Sequence, residues 1–147
     1  MGWLLVGLLL ATFFTVVVAA VKIERERARI ARRELQRAAG EIGLQQGAIS
    51  IWTGAKVFQG NAQGFEVRWI LTPNRAGREI EICVLHAAFT SRALPSDMGD
   101  DFGDGARLSV VRGALALRFK DTLGDNNDEL VPRTRQLLAL AERLRVN

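Results

Sequence analysis

From Trp3 to Val21 the chain carries no charged side chain, and the run stops abruptly at Lys22. At 1.5 Å per residue a helix of this length spans roughly 28 Å, close to the hydrocarbon thickness of a bilayer. A core helix this long would show a polar stripe, and only Thr12 and Thr15 break the apolar surface. A cleaved signal peptide would need a basic leader, an apolar stretch of roughly 7–15 residues and a small-residue cleavage site. Only Met1 and Gly2 precede the run, the run is longer than such a stretch, and Thr15–Ala20 holds at best a poor cleavage site. Residues 1–22 are therefore expected to form a transmembrane anchor. Val6 stands where a myristoylation signal needs Ser or Thr.

Charge then orients the anchor. Lys22, Arg25, Arg27, Arg29, Arg32 and Arg33 crowd its C-terminal side, and basic residues beside a span stay cytoplasmic. The expected topology is N-terminus outside and C-terminal domain in the cytoplasm, at an inner (plasma) membrane. The single Cys83 offers no intramolecular disulfide, which suits a reducing compartment. The net charge of +4 is concentrated next to the membrane, where Lys and Arg also meet anionic headgroups. Nucleic acid is not expected as a partner, because the basic segment lacks an aromatic platform or a recognition motif.

Residues 23–46 contain no Pro and are rich in Ala, Arg, Glu and Leu, a composition with strong helix propensity. Ala28, Ala31, Leu35, Ala38 and Ile42 recur at spacings of three and four, a seam too short and too alanine-rich for a free-standing coiled coil. The expectation is one helix running on from the span and ending between Gly40 and Gly47, its latter half packed on the domain that follows. Within the span, Gly7, Ala11, Thr15 and Ala19 fall every fourth residue. Small side chains stacked on one face let another helix approach, and the Thr hydroxyl offers an interhelical hydrogen bond. The expected partners are thus the bilayer and, through this face, other membrane proteins or a second copy. Chance alignment of common residues explains the same stripe.

Residues 47–147 read as one soluble α+β domain. Ala48 to Trp52 is a short apolar piece, and a second lies between Gly54 and Gly64 around Val57-Phe58. Phe65, Val67, Trp69 and Leu71 alternate with polar residues, as in a half-buried strand. The turn formers of Pro73–Gly77 lead into a partner strand from Glu79 to Phe89. A second hairpin is expected from Arg107–Val111 to Ala114–Phe119 about Arg112-Gly113. Four or more antiparallel strands result. Asp128 is a good N-cap, and Leu130, Leu137, Leu140, Ala141 and Leu144 form the apolar stripe of a closing helix, with Leu138 at its edge. A sheet cannot leave a broad apolar face bare, so this helix should cover it.

Trp52-Thr53-Gly54, Gly64-Phe65-Glu66-Val67 and Leu138-Ala139-Leu140-Ala141-Glu142-Arg143-Leu144 carry a resemblance. In these residues the chain resembles uncharacterised bacterial single-span membrane proteins, in which a span and helix lead into an antiparallel sheet capped by a C-terminal helix. The resemblance implies a fold class and brings no activity with it.

No GxSxG, Walker A, GxGxxG or HExxH sequence occurs, and a lone cysteine cannot build a zinc site. Cys83 and His86 are three residues apart on an expected strand, so alternation sends them to opposite faces. Asp97, Asp100, Asp101 and Asp104, interleaved with glycines, are the weak candidates for a hard cation. Their spacing is not that of an EF-hand loop; a solvated connection, or a dock for the basic helix, fits the same residues. The expected function is a membrane-anchored, non-catalytic interaction or accessory subunit, without cofactor. The alternative is a tethered sensor or enzyme whose pocket draws on His86, Arg92 and the acidic loop.

Overall fold

The computed structural model describes residues 2–90, 94, 98, 101–103, 105–122 and 127–146. It contains a long N-terminal helix, a six-stranded antiparallel sheet and a C-terminal helix, an α+β fold. The first helix, α1, runs Gly2–Ile42. The chain divides into two compact units, Met1–Glu34 and Leu35–Asn147.

The first unit is helical and open to its surroundings. Its apolar side chains from Trp3 to Val21 are all exposed, so the run is no core helix of this chain. By length and composition it is sufficient to cross a membrane.

The second unit begins with the last turns of α1, where Leu35 and Ala39 are buried in the core. The helix ends at Ile42, and Gly43 takes a φ of 83° as the chain turns into a strand. The strands are β1 Leu44–Ile49, β2 Lys56–Ala62, β3 Phe65–Asn74, β4 Gly77–Leu85, β5 Arg107–Val111 and β6 Ala114–Asp121. They lie in the order β1-β2-β3-β4-β6-β5, so β1 and β5 are the edges. Alternation gives β3, β4 and β6 one apolar face: Phe65, Val67, Trp69 and Leu71, then Ile80, Ile82 and Val84, then Leu115, Leu117 and Phe119. The helix α2, Leu130–Val146, lays Leu130, Leu137, Leu138, Leu140 and Ala141 into the same core.

Two turns set the registers. The β5–β6 hairpin folds about Arg112-Gly113, as expected, with Gly113 at φ 78°. The β3–β4 connection is tighter than the Pro73–Gly77 turn read from sequence. Pro73 pairs with Arg78 and Asn74 with Gly77, and the Asn74 side-chain oxygen accepts the Ala76 N–H at 2.9 Å. Gly77 is irreplaceable on two counts: its φ is 123°, and a Cβ there would collide with the Asp121 carbonyl on β6.

Several local expectations are corrected. The strand beginning at Ala48 begins instead at Leu44, and it stops at Ile49, before Ile51 and Trp52. The strand expected to reach Phe89 ends at Leu85, and His86–Phe89 is a turn closed by the Phe89 N–H on the His86 carbonyl at 3.1 Å. Leu138, placed at the edge of the helix stripe, is fully buried, while Leu144 is half-buried. The first i→i+4 bond of α2 runs from the Arg133 N–H to the Glu129 carbonyl, so the cap falls one residue past Asp128. A neighbouring contact accounts for this start. Arg78 donates from Nε to Asp121 Oδ2 at 2.8 Å and from Nη2 to Asn127 Oδ1 at 2.6 Å, pinning the entry to α2 on β4 and β6.

The stripe of α2 is centred on a polar residue. Thr134 is fully buried; its hydroxyl accepts the Trp69 Nε1–H at 2.9 Å and donates to the Leu130 carbonyl at 2.6 Å. A buried donor without an acceptor is costly. Thr134→Val keeps the shape and strands the indole N–H, so denaturant unfolding should show a loss of about 1–3 kcal/mol. Thr134→Ser keeps the hydroxyl and should lose distinctly less; equal losses in the two variants would mean that packing alone holds the helix here.

Candidate functional site

The second unit presents two surfaces of contrasting chemistry. On the outward face of the sheet, strand alternation places Glu66, Arg68, Glu81, Cys83, Arg118 and Lys120 away from α2. Arg68 pairs with Glu66 at 3.0 Å, and Arg118 donates from Nε to Glu81 Oε2 at 2.9 Å. These exposed pairs contribute little stability individually, but they make the face compatible with water.

Cys83 sits among them, only 7% exposed, with its thiol donating to Glu81 Oε1 at 3.3 Å. Burial first, then the Glu81 charge and its hydrogen bond, push the thiol up to about 12, against the weaker pull of Arg68 and Arg118. The thiolate is the reactive form of cysteine, so this thiol is inert near neutrality. His86 lies in the turn after β4, its ring 5.4 Å from the Phe65 ring and 5.9 Å from that of Phe89. Its Nδ1 accepts the Ala88 N–H at 3.1 Å. The two residues belong to separate environments, the thiol on the outward face and the imidazole against the inward-facing Phe65.

The second surface is the tip between β1 and β2. Ile51 is 95% exposed and Trp52 97% exposed. The loop that carries them is held from within. Ser50 N–H donates to the Ala55 carbonyl at 2.9 Å and Gly54 N–H to the Ser50 carbonyl at 2.8 Å. The Ser50 and Thr53 hydroxyl oxygens accept the Thr53 and Ala55 N–H groups, each at 3.3 Å. In the sequence, Ile51 and Trp52 read as the end of the short apolar piece Ala48–Trp52. The cluster Ser50-Ile51-Trp52-Thr53-Gly54 holds the missed signal: Ser and Thr spaced to close a turn, and Gly54 at φ 67°.

The other sequence candidates fall as follows. Gly7, Ala11, Thr15 and Ala19 are all exposed on α1. Thr15 donates its hydroxyl proton to the Ala11 carbonyl at 2.8 Å, so its donor is used within its own helix and only its acceptor capacity faces a neighbour. Lys22, Arg25, Arg27, Arg29, Arg32 and Arg33 are exposed; Arg29 pairs with Glu26 at 2.7 Å and Arg27 with Glu24 at 3.9 Å. Asp97, Asp100 and Asp104 lie outside the described residues, as does Arg92. Asp101 is exposed and borders a cavity of about 360 Å³ with Met98, Phe102, Gln136, Leu140 and Arg143. Among the described residues no group of three or more His, Cys, Asp and Glu is placed to hold a metal ion.

Comparison with known proteins leaves the geometry to speak for itself: no family model, no curated protein and no solved structure matches the chain.

The thiol's raised value has a signed consequence for stability. The folded chain keeps its proton where the unfolded chain, with a thiol near 9, loses it, so stability from this group falls as pH rises from about 9 towards 12. Iodoacetamide at pH 8.5 should alkylate the urea-unfolded chain far faster than the folded one. In Glu81→Gln the folded rate should rise, about tenfold for each pH unit by which the thiol is lowered. A folded rate matching the unfolded one would show that Cys83 is accessible and ionised.

Proposed function

We propose that this is a single-span membrane protein of bacterial type, in which Trp3–Val21 crosses the inner (plasma) membrane and the unit from Leu35 onward works as a non-catalytic interaction module. Its role is that of an accessory subunit within a membrane-associated assembly, without a cofactor and without nucleic acid. The observation that carries this reading is the wholly exposed, uncharged run Trp3–Val21 followed by six basic side chains between Lys22 and Arg33. In water such a run exposes more apolar surface than a soluble chain tolerates. In lipid the same side chains are at home, and every backbone group of the helix is satisfied within it. The one-sided cations favour a cytoplasmic C-terminal unit.

The partner face within the bilayer is the row Gly7, Ala11, Thr15 and Ala19, where small side chains permit close backbone approach to another helix, from a different protein or a second copy. On the soluble unit, the inert thiol and the paired charges of the outward sheet face favour contact over chemistry.

Two measurements test this reading. C-terminal fusions should be active with a cytoplasmic reporter and silent with a periplasmic one; the opposite pattern reverses the topology. Gly7→Leu with Ala11→Leu should weaken self-association or recovery of a membrane partner after gentle solubilisation, at unchanged expression. Unchanged recovery would assign the stripe to chance.

A further inference from the structure

The tip between β1 and β2 exposes the two side chains that gain most from leaving water. Isolated exposed apolar residues are ordinary on protein surfaces. This pair is different because its loop is ordered by four internal hydrogen bonds, so Ile51 and Trp52 are held outward at 95% and 97% exposure. A preorganised apolar projection loses little conformational freedom when it docks.

Charge around the tip selects what it docks on. No Asp or Glu occurs from Ile42 to Phe65, and the one charged side chain in that stretch is Lys56, exposed at the base of the loop opposite Ile49. The β3–β4 turn lies at the same end of the sheet. Lys56 pairs with Leu71, three residues short of Asn74, and a Cβ on Gly54 would lie 3.3 Å from Pro73 Cγ. That turn adds the exposed Arg75. The first carboxylate met in register from this end is Asp121 on β6, buried and neutralised by Arg78 at 2.8 Å; the first exposed one in the strands is Glu79 on β4, with Lys120 opposite it on β6. An indole and an aliphatic side chain projecting past a Lys and an Arg match the layered chemistry of a bilayer surface. Trp favours the headgroup boundary, aliphatic groups the acyl chains, and cations the phosphates.

We propose that Ile51 and Trp52 form a bilayer-docking finger, which inserts into the interfacial layer of the membrane while Lys56 and Arg75 contact lipid phosphates. The proposal rests on the membrane-anchored reading above, since the apolar run separated from the compact unit only by residues 22–34 is what keeps a bilayer within reach. The finger is a second membrane contact, made by the soluble unit itself and distinct from the span.

The chain's three tryptophans report on it separately: Trp3 in the apolar run, Trp52 on the finger and Trp69 fully buried in the core. The full chain is reconstituted in phosphatidylcholine–phosphatidylglycerol vesicles whose acyl chains are brominated just below the interface. Emission is compared for the native chain, Trp3→Phe, Trp52→Phe and the double variant. Trp3 and Trp52 should each lose most of their emission to the brominated lipid, and Trp52 should be shielded from aqueous iodide, while Trp69 keeps its emission. Loss at Trp3 with Trp52 still bright and quenched by iodide overturns the finger and leaves the anchor standing. Bright emission from both overturns the finger together with the anchored reading. Trp52 shielded from bromine and iodide alike overturns the lipid contact in favour of a protein one, between copies of this chain.

Discussion

The unit from Leu35 onward depends on one contact, the indole of Trp69 against the hydroxyl of Thr134. A six-stranded sheet with one apolar face needs a cover, and a single helix placed at the wrong rotation would leave both that face and its own stripe in water. The bond from Trp69 Nε1 to Thr134 fixes the rotation, because a buried indole N–H needs an acceptor and the turn of α2 centred on Thr134 brings one. Leu130, Leu137, Leu138 and Ala141 then fall into the core around it. At the end of β4 and β6, Arg78 does for the start of the helix what Thr134 does for its middle, holding Asp121 and Asn127 together.

Covering one face decides the character of the other. The outward face keeps alternating charge, with Glu66 on Arg68 and Glu81 on Arg118, and it buries its lone thiol among them. Nothing on that face asks to leave water. The tip between β1 and β2 is the opposite case: its hydrogen bonds are satisfied locally, so its shape costs nothing further, and its two large side chains remain unsatisfied by any neighbour. The two surfaces contrast paired charge with bare apolar side chains.

Much of the architecture could be read along the chain. The alternation of Phe65, Val67, Trp69 and Leu71, the Arg112-Gly113 turn and the apolar run at Trp3–Val21 are short-range patterns with direct physical meaning. The boundaries of β1 were obscure because Leu44-Gln45-Gln46-Gly47 has no strand alternation; β2 recruits it as a partner. Thr134 was obscure because a polar residue within an apolar stripe looks like its edge until its partner, sixty-five residues away, is in place. The exposure of the β1–β2 tip was hidden for a related reason. Ile49, Ile51 and Trp52 fall in one short apolar piece, and only the turn at Ser50–Ala55 diverts the last two away from the sheet.

The sequence by itself determined the properties that depend on neighbouring residues: an apolar segment long enough for a bilayer, its one-sided cations, the strand alternation and the hairpin turns. Tertiary structure alone decided which apolar side chains were used. Burial depends on what closes over a residue, and closure is a long-range event. Trp69 and Trp52 are the same residue type on the same sheet system, yet one is sealed under α2 with its N–H paired and the other is left in the open.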